Sequence, residues 1–226
     1  MSRADAVAAA CAAAFAALAS LVSVGDLTGV DRWAMAHAMP DASFTGGKPT
    51  IAGALVPLWD SSWNDAVAIV TNVLTLPAAF LVASAIVAAS CLALRNRDAV
   101  LLACAFIAGN VVEEITKTAL TRPPLYAHGL HVVAFDNSFP SGHTIRTVLV
   151  AVAVAAAWPR LAAWVWAWAI GSTAMIELGA LHVPSDIAGG LLLAGALLAT
   201  TWSLRSGSPR RGRRPSPASR PFSRAR

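Results

Sequence analysis

Charged residues are scarce in this sequence. Only 13% of its 226 residues are Asp, Glu, Lys or Arg, whereas 57% are hydrophobic, and the mean hydropathy is +0.61. In a soluble protein about a quarter of the residues are charged. A soluble domain of this composition would have too little polar surface to cover its core, and several apolar runs approach the ~20 residues that cross a bilayer. The composition therefore predicts an all-α, polytopic membrane protein.

Cysteine is also scarce, and its placement argues against a disulfide framework. Cys11, Cys91 and Cys104 lie in apolar runs without paired spacing, so we expect them to pack as small apolar residues. His128 and His131 are a conceivable metal pair, but no carboxylate or cysteine completes a ligand set with them. We therefore expect solvated loop histidines there, and neither a metal nor another cofactor.

Acidic residues are missing from the C-terminal segment. Residues 205–226 contain eight arginines and no Asp or Glu, whereas all twelve acidic residues lie before Leu204. Beside a membrane domain, such a segment typically marks the cytoplasmic side and binds anionic lipid, which we favour over nucleic acid. The sequence thus predicts a membrane domain over residues 1–204 and a disordered basic tail over residues 205–226.

Six apolar segments are predicted to span the membrane as a helical bundle. The first is taken as a retained span, because it is long for a signal peptide and no clear small-residue cleavage site follows it. Gly25–Asp65 is predicted to be an external loop with a short interfacial helix, whose Trp59 and Trp63 suit the membrane boundary. The predicted spans are Ala6–Val24, one within Ala66–Leu94, Ala99–Leu120, Thr144–Trp158, Leu161–Leu181 and Ile187–Leu204.

The distribution of arginine predicts the orientation of these spans. Arg3, Arg95, Arg97, Arg160 and the tail arginines all fall on the side that holds both termini. By the positive-inside rule, that side is cytoplasmic. The loops after the first, third and fifth spans then face outward from a plasma (inner) membrane.

Polar residues within the spans collect at this outward side. A charge at the centre of a span costs about 2.5–3.5 kcal/mol on insertion scales, so such residues are usually paired or functional. Three groups occur, at the end of the third span, at the start of the fourth, and between the fifth and the sixth. They comprise Glu113, Glu114, Lys117 and Arg122, then His143 and Arg146, then Glu177, His182 and Asp186. All three groups reach the same membrane face, so one site can contain them.

The cationic residues and the start of the fourth span suggest that this site binds an anion. Lys117 and Arg122 carry positive charge, and the run Ser141-Gly142-His143 begins a helix whose free backbone N–H groups favour an anion. Each feature also has a structural explanation. The run can be a helix cap and turn, and Lys117 can pair with a glutamate one helical turn away.

The two histidines suggest the chemistry. His182 and Asp186 are four residues apart, on one helical face if the sixth helix begins near Pro184, and the carboxylate would fix the imidazole tautomer. His182 could then act as a nucleophile or base, with His143 as a general acid. Together with the anion-binding groups, these residues indicate phosphoryl transfer through a phosphohistidine.

The motifs "SFPSGHT" and "LGALHVPSDIAGG", preceded by a Lys…Arg-Pro segment, resemble the type 2 phosphatidic acid phosphatase superfamily of integral membrane lipid phosphatases. The similarity covers roughly residues 110–190. It implies a metal-independent enzyme in which His182 is the nucleophile, Asp186 orients it and His143 protonates the leaving group. The phosphate ligands implied by the resemblance are Lys117, Arg122, Ser141 and Gly142.

The sequence departs from the family pattern at two places. Only four residues separate Lys117 from Arg122, where the family usually has six, and Met175-Ile176 stands where the third motif normally has Ser-Arg. We hypothesise that Arg146, three residues after His143, supplies the missing phosphate-binding charge and is positioned by Glu177. The alternative is a structural pair of Arg146 with Glu177 or Glu113.

The expected function is removal of phosphate from a lipid phosphate or diphosphate at the outer membrane face. Candidate substrates are isoprenoid phosphates or diphosphates, phosphatidate, phosphatidylglycerophosphate and polyprenyl-phosphoryl sugar phosphates. Two alternatives stay open at this stage. One is a pseudoenzyme that binds or moves lipid phosphates, and the other is a transferase that uses the same histidines to pass a phosphoryl-containing group to an alcohol.

Overall fold

The protein is helical throughout most of the chain that a computed structural model describes, namely residues 2–38, 43–44, 59–60, 64–127, 130–131, 137–179 and 181–206. Trp63 lies outside these residues, and so does the basic tail after Ser206. The expectations about both are therefore not tested. The helices within these ranges are α1 (Arg3–Val24), α2 (Thr28–Ala38), α3 (Asn64–Thr75), α4 (Phe80–Leu94), α5 (Arg97–Ala119), α6 (Gly142–Ala157), α7 (Ala162–Leu178) and α8 (Pro184–Ser206).

Short elements connect some of these helices. Leu76–Ala78 and Pro159–Leu161 form 3₁₀ turns. Two antiparallel pairs of two-residue strands complete the described elements. They are β1 (Ser43–Phe44) with β2 (Trp59–Asp60), and β3 (Tyr126–Ala127) with β4 (Leu130–His131).

Several helices are long and apolar enough to cross a bilayer. Among the described residues, α1, α5, α8, and α7 together with its preceding 3₁₀ turn qualify singly, and α3 with α4 makes a fifth span if the bent pair is counted as one. The fourth predicted span, α6, is apolar but has only 16 residues. The chain is therefore a multi-pass membrane protein, and its described residues contain four or five candidate spans by length and composition.

The second predicted span is not one straight helix. α3 and α4 meet at an angle of 48° across the turn Leu76–Ala78. Pro77 lies in this turn, and proline removes a backbone N–H donor and clashes with the preceding helical turn, so a continuous helix breaks there. The region that was predicted to contain one span therefore holds two helices, α3 and α4, joined at this bend.

The core of the bundle forms around α6. Buried apolar side chains of α4, α5, α6 and α8 pack together there: Ala83, Val87, Leu102, Ala105, Phe106, Ile145, Leu149, Val150, Ala153 and Leu193. By contrast, α1 packs along α8 and buries only Val22 among its own residues. Its remaining apolar surface is what lipid would cover in a bilayer.

Polar contacts place one end of α1, α5 and α8 together. Ser203 near the end of α8 donates a hydrogen bond to Asp5 in the first turn of α1. Arg205 lies 3.3 Å from the carboxylate of Asp98, and Arg97 donates to the carbonyl of Leu204 at 3.0 Å. The C-terminal ends of α1 and α5 therefore lie at the opposite end of the bundle, together with the beginning of α8.

Helices α6 and α8 approach closely at Gly190. A Cβ atom at this position would lie 2.8 Å from the carbonyl oxygen of Ser141 and 2.9 Å from Cβ of Thr144. Only a residue without a side chain fits, as is common where membrane helices pack closely. This contact brings the beginning of α6 against the beginning of α8.

We expect Gly190→Ala to destabilise the protein by about 1–3 kcal/mol, because the added methyl group must push two helix backbones apart. Thermal unfolding of the detergent-solubilised protein measures the effect. Gly171→Ala is the matched control, because a Cβ at Gly171 meets nothing within 4 Å and alanine favours the helix. Equal unfolding temperatures for the two variants would contradict this account of the α6–α8 contact.

Candidate active site

Two histidine rings meet where α6 and α8 begin. His143 is the second residue of α6, and His182 lies in the turn between α7 and α8. Their ring centroids are 5.9 Å apart and the ring planes are inclined by 59°. His182 is buried and His143 is half-buried. Residues 39 positions apart in the sequence thus border the same small space.

A buried carboxylate holds one nitrogen of His182. Oδ2 of Asp186 lies 3.3 Å from Nδ1 of His182, four residues earlier. The same oxygen accepts a weak hydrogen bond from the Val183 backbone N–H at 3.4 Å, and the Asp186 carbonyl accepts one from the Ser141 N–H at 2.9 Å. With Nδ1 held in this way, Nε2 is the nitrogen of His182 that can react.

Arg122 is bound by two carboxylates. Its NH1 donates to Oδ1 of Asp186 at 2.7 Å, and its NH2 donates to Oδ2 of Asp31 at 2.8 Å. All three side chains are buried. The residue that the resemblance assigns to phosphate therefore stabilises the carboxylate behind His182 in this structure.

The N-terminus of α6 has the geometry of an anion-binding turn, and a carboxylate already lies against it. Ser141 is the N-cap, and its Oγ accepts from the Thr144 N–H at 3.2 Å. At Gly142 a Cβ atom would overlap the carboxylate of Glu113. Glycine is required at residue 142 because this acidic group approaches the backbone so closely. The positive end of the helix dipole favours a negative group at this place.

Glu113 binds two cations at the same place. One carboxylate oxygen lies 2.6 Å from Nζ of Lys117, and the other lies 2.7 Å from NH1 of Arg146. Arg146 also donates to Oδ1 of Asn110 at 2.9 Å and to the Ala78 carbonyl at 2.8 Å. Its position is therefore fixed by two other elements, α5 and the 3₁₀ turn Leu76–Ala78.

Arg146 pairs with only one of the two glutamates that the sequence analysis considered as its partner. The described contacts pair Arg146 with Glu113 and not with Glu177, so the hypothesis that Glu177 positions it was wrong. Glu177 lies near the end of α7, whereas Glu113 lies on α5 directly beside the first turn of α6.

A cleft opens beside His143 at the bend of the α3–α4 pair. It has a volume of about 290 Å³. Its lining is mostly apolar and comprises Asn72, Val73, Thr75, Leu76, Ala79 and His143. The break at Pro77 thus provides an apolar approach to one of the two imidazoles from the side of the bundle.

The arrangement contains an imidazole with a free nitrogen, a second imidazole opposite it, and a cationic helix N-terminus. These are the groups needed to attack a phosphorus atom, protonate a leaving group and stabilise the phosphoryl oxygens. Within the described part of the chain, no group of three or more His, Cys, Asp or Glu side chains could hold a metal ion. His128 and the side chain of His131 lie outside that part, so the expectation about them is not tested.

Asp31 was missed by the sequence analysis, which assigned it to an external loop. In the structure it is only 1% exposed and lies on α2 beside Arg122. One signal was available, because Asp31 and the buried Met35 are four residues apart and share a helical face. A pattern of one acidic and one apolar residue is too common in surface helices to identify a site.

Comparison with known proteins agrees with this class of site. The model of the PAP2 superfamily matches residues 98–210, half of the chain, so the protein belongs to this superfamily and the resemblance found in the sequence is confirmed. Among solved structures it is similar to the crystal structure described as the first transmembrane PAP2-type phosphatidylglycerolphosphate phosphatase from Bacillus subtilis. The TM-score is 0.62 at 16% identity, covering 90% of this chain and 98% of that chain. None of the curated proteins matches significantly.

We expect Glu113→Gln to destabilise the protein by about 3–5 kcal/mol, because it leaves Lys117 and Arg146 with much less compensating charge in a mostly buried place. Added inorganic phosphate should then raise the unfolding temperature of the variant more than that of the wild type, since the anion replaces the lost carboxylate charge. Glu114→Gln is the matched control, because Glu114 is the exposed neighbour of Glu113. If phosphate stabilises wild type and variant equally, Glu113 does not lie at the anion site.

Proposed function

We propose that this protein is a membrane-embedded hydrolase that removes phosphate from a lipid phosphate or diphosphate through a phosphohistidine intermediate. One observation carries the proposal. The His143 and His182 rings lie 5.9 Å apart at one end of a membrane bundle, with Asp186 on Nδ1 of His182. Membership of the PAP2 superfamily supports a lipid phosphatase in general, and the paired rings support the finer proposal of a phosphohistidine mechanism.

In the proposed reaction, Nε2 of His182 attacks the phosphorus atom while the bond from phosphorus to the leaving oxygen breaks. His143 donates a proton to that oxygen, which departs as an alcohol or, from a diphosphate, as a lipid monophosphate. His143 then takes a proton from water, which attacks the phosphohistidine and releases inorganic phosphate. Asp186 keeps Nδ1 of His182 hydrogen-bonded and stabilises the positive charge that develops on the ring.

The phosphoryl oxygens would be bound by the groups that now surround Glu113. These are the hydroxyl of Ser141, the backbone N–H of Gly142, the ammonium of Lys117 and the guanidinium of Arg146. Arg146 would supply the charge that Ile176 cannot. Arg122 would act through Asp186 instead of on phosphate, because both of its terminal nitrogens already bind carboxylates.

The apolar cleft beside His143 supports a substrate with a lipid tail. His143 lines this cleft and is also the proposed donor to the leaving group, so the lipid portion would lie on the cleft side. We propose that α6 counts as a sixth, short span and that both termini are cytoplasmic by the positive-inside rule. The site would then face the extracytoplasmic side of a plasma membrane, in contact with that leaflet.

A pseudoenzyme that binds lipid phosphates is the second candidate. Two observations favour it, because Ile176 stands where the family pattern has arginine, and Arg122 is engaged by Asp31 and Asp186. Such a protein would bind lipid phosphates at the Lys117–Arg146 pair and release no phosphate.

Purified protein should release phosphate from a member of a panel of lipid phosphates and diphosphates with EDTA present. We expect His182→Ala to abolish phosphoenzyme formation and turnover, and His143→Ala to lower turnover by about 10²–10⁴, the usual contribution of a general acid–base group. His37→Ala, at an exposed histidine, is the control. Binding without turnover would favour the pseudoenzyme, turnover only with an added alcohol would favour a transferase, and loss of activity with EDTA would indicate a metal site.

Arg146→Ala should lower turnover by about 10²–10³, the typical cost of losing one preorganised transition-state donor. Arg146→Lys should recover little, because one ammonium cannot reproduce the forked contacts to Asn110, Glu113 and the Ala78 carbonyl. The measurement is steady-state phosphate release on the best substrate of the panel. Wild-type rates in both variants would exclude Arg146 as a replacement for the missing third-motif arginine.

A further inference from the structure

Helix α2 forms part of the candidate site through a single buried acidic residue. Asp31 and Met35 form the inner face of α2, whereas Val30 and Trp33 on its other side are exposed. The helix follows α1 after Gly25, whose φ of +82° is in the left-handed region that favours glycine. A Cβ at Gly25 would also lie 2.9 Å from Cγ of Pro123, next to Arg122. The turn after α1 is therefore packed directly against the segment that carries Arg122.

The contacts of Asp31 form a closed network that includes Asp186, the carboxylate behind His182. Asp31 accepts from Arg122 at 2.8 Å, and Arg122 in turn donates to Asp186 at 2.7 Å. Oδ1 of Asp31 accepts from the Ser185 backbone N–H at 3.0 Å, and Oδ2, which also binds Arg122, accepts from the Ser185 hydroxyl at 2.6 Å. Ser185 is adjacent to Asp186 in the chain. Asp31 thus fixes the position of Asp186 through two partners, Arg122 and Ser185.

The net charge of this network also depends on Asp31. Two carboxylates and one guanidinium leave one net negative charge beside His182. Without Asp31, the positive charge of Arg122 would be balanced by Asp186 alone, and less negative charge would remain to hold Nδ1–H of His182. In a buried site this electrostatic effect is screened little by solvent.

We propose that Asp31 is a positioning residue for the nucleophilic histidine, acting through Arg122 and Ser185 on Asp186. The kinetic consequence of this inference rests on the proposed phosphatase function, whereas the positioning of His182 does not. Asp31 is 1% exposed, so it does not reach a substrate. Helix α2, which follows the first span, is then a required part of the site and not a dispensable external segment.

The kinetic test uses Asp31→Asn in the full-length protein. We expect kcat to fall by about 10- to 100-fold, the range typical when the hydrogen-bonded partner behind a functional histidine is removed. KM should stay within about threefold, because no substrate contact is lost. Asp31→Glu should recover part of kcat. Asp26→Asn is the matched control, because Asp26 is an exposed acidic residue five positions earlier.

Coupling to Arg122 provides a second kinetic measurement. In a double-mutant cycle, Asp31→Asn and Arg122→Gln should be strongly non-additive in kcat, since each variant interrupts the same route to Asp186. Additive losses, a rise in KM at unchanged kcat, or an equal loss in Asp26→Asn would overturn the proposal. If Asp31→Asn does not fold, Ser185→Ala carries the test, because it removes only the hydroxyl contact.

A spectroscopic measurement tests the inference without any substrate. In protein with ¹⁵N-labelled histidine, the signals of His182 are assigned by their loss in His182→Gln, and the ring shifts report which nitrogen carries the proton. We expect Asp31→Asn to reduce the Nδ1-protonated form of His182, and Asp26→Asn to leave it unchanged. An unchanged His182 spectrum in Asp31→Asn would overturn the positioning role. If Asp31→Asn changes the His182 spectrum as expected but the wild-type protein shows no turnover, the proposed function is contradicted and this inference is not.

Discussion

Charged groups in an apolar bundle must be paired, and two buried carboxylates, Glu113 and Asp186, determine how this is achieved here. Each accepts from an arginine and lies beside one of the two helix starts that form the site. Asp186 binds Arg122 and His182, while Glu113 binds Arg146 and Lys117. Because the acidic groups are fixed by the backbone of α5 and α8, the cations have little freedom. The histidines lie between these two clusters.

The division of labour between the two arginines follows from the departures in the sequence. α5 ends at Ala119, so Lys117 is on the helix and Arg122 is in the extended segment after it. Only four residues separate Lys117 from Arg122, and in this structure NH1 of Arg122 donates to Oδ1 of Asp186 at 2.7 Å. Arg146, on the first turns of α6, occupies the cationic position beside the helix N-terminus. A site with Ile176 in its third motif therefore still has two guanidinium groups, Arg122 beside Asp186 and Arg146 beside Glu113.

The sequence was sufficient for the features that depend on local pattern. Hydropathy located the apolar helices, because a span needs a long apolar run. The four-residue spacing of His182 and Asp186 predicted their contact, which forms where the turn enters α8. The residues that sequence missed depend on contacts between distant segments. Asp31 binds Ser185 at a separation of 154 positions, and no local rule connects the two. The contact of Glu113 with Gly142 likewise requires the packing of α5 against α6. The break at Pro77 was visible locally as a proline inside an apolar run.

The place of Glu113 bears on how a phosphoryl group would bind. A carboxylate with one negative charge already lies against the α6 N-terminus and between two cations, so the cationic side chains are held apart in the positions that an oxyanion needs. In the proposed reaction a phosphoryl group brings more negative charge and a third oxygen, and it can therefore compete with Glu113 for Lys117, Arg146 and the backbone N–H groups. Preorganisation of the cations lowers the reorganisation that substrate binding requires, while competition from Glu113 weakens the binding of any anion. Release of inorganic phosphate is favoured by the same competition, because Glu113 can return to its two partners as the product leaves.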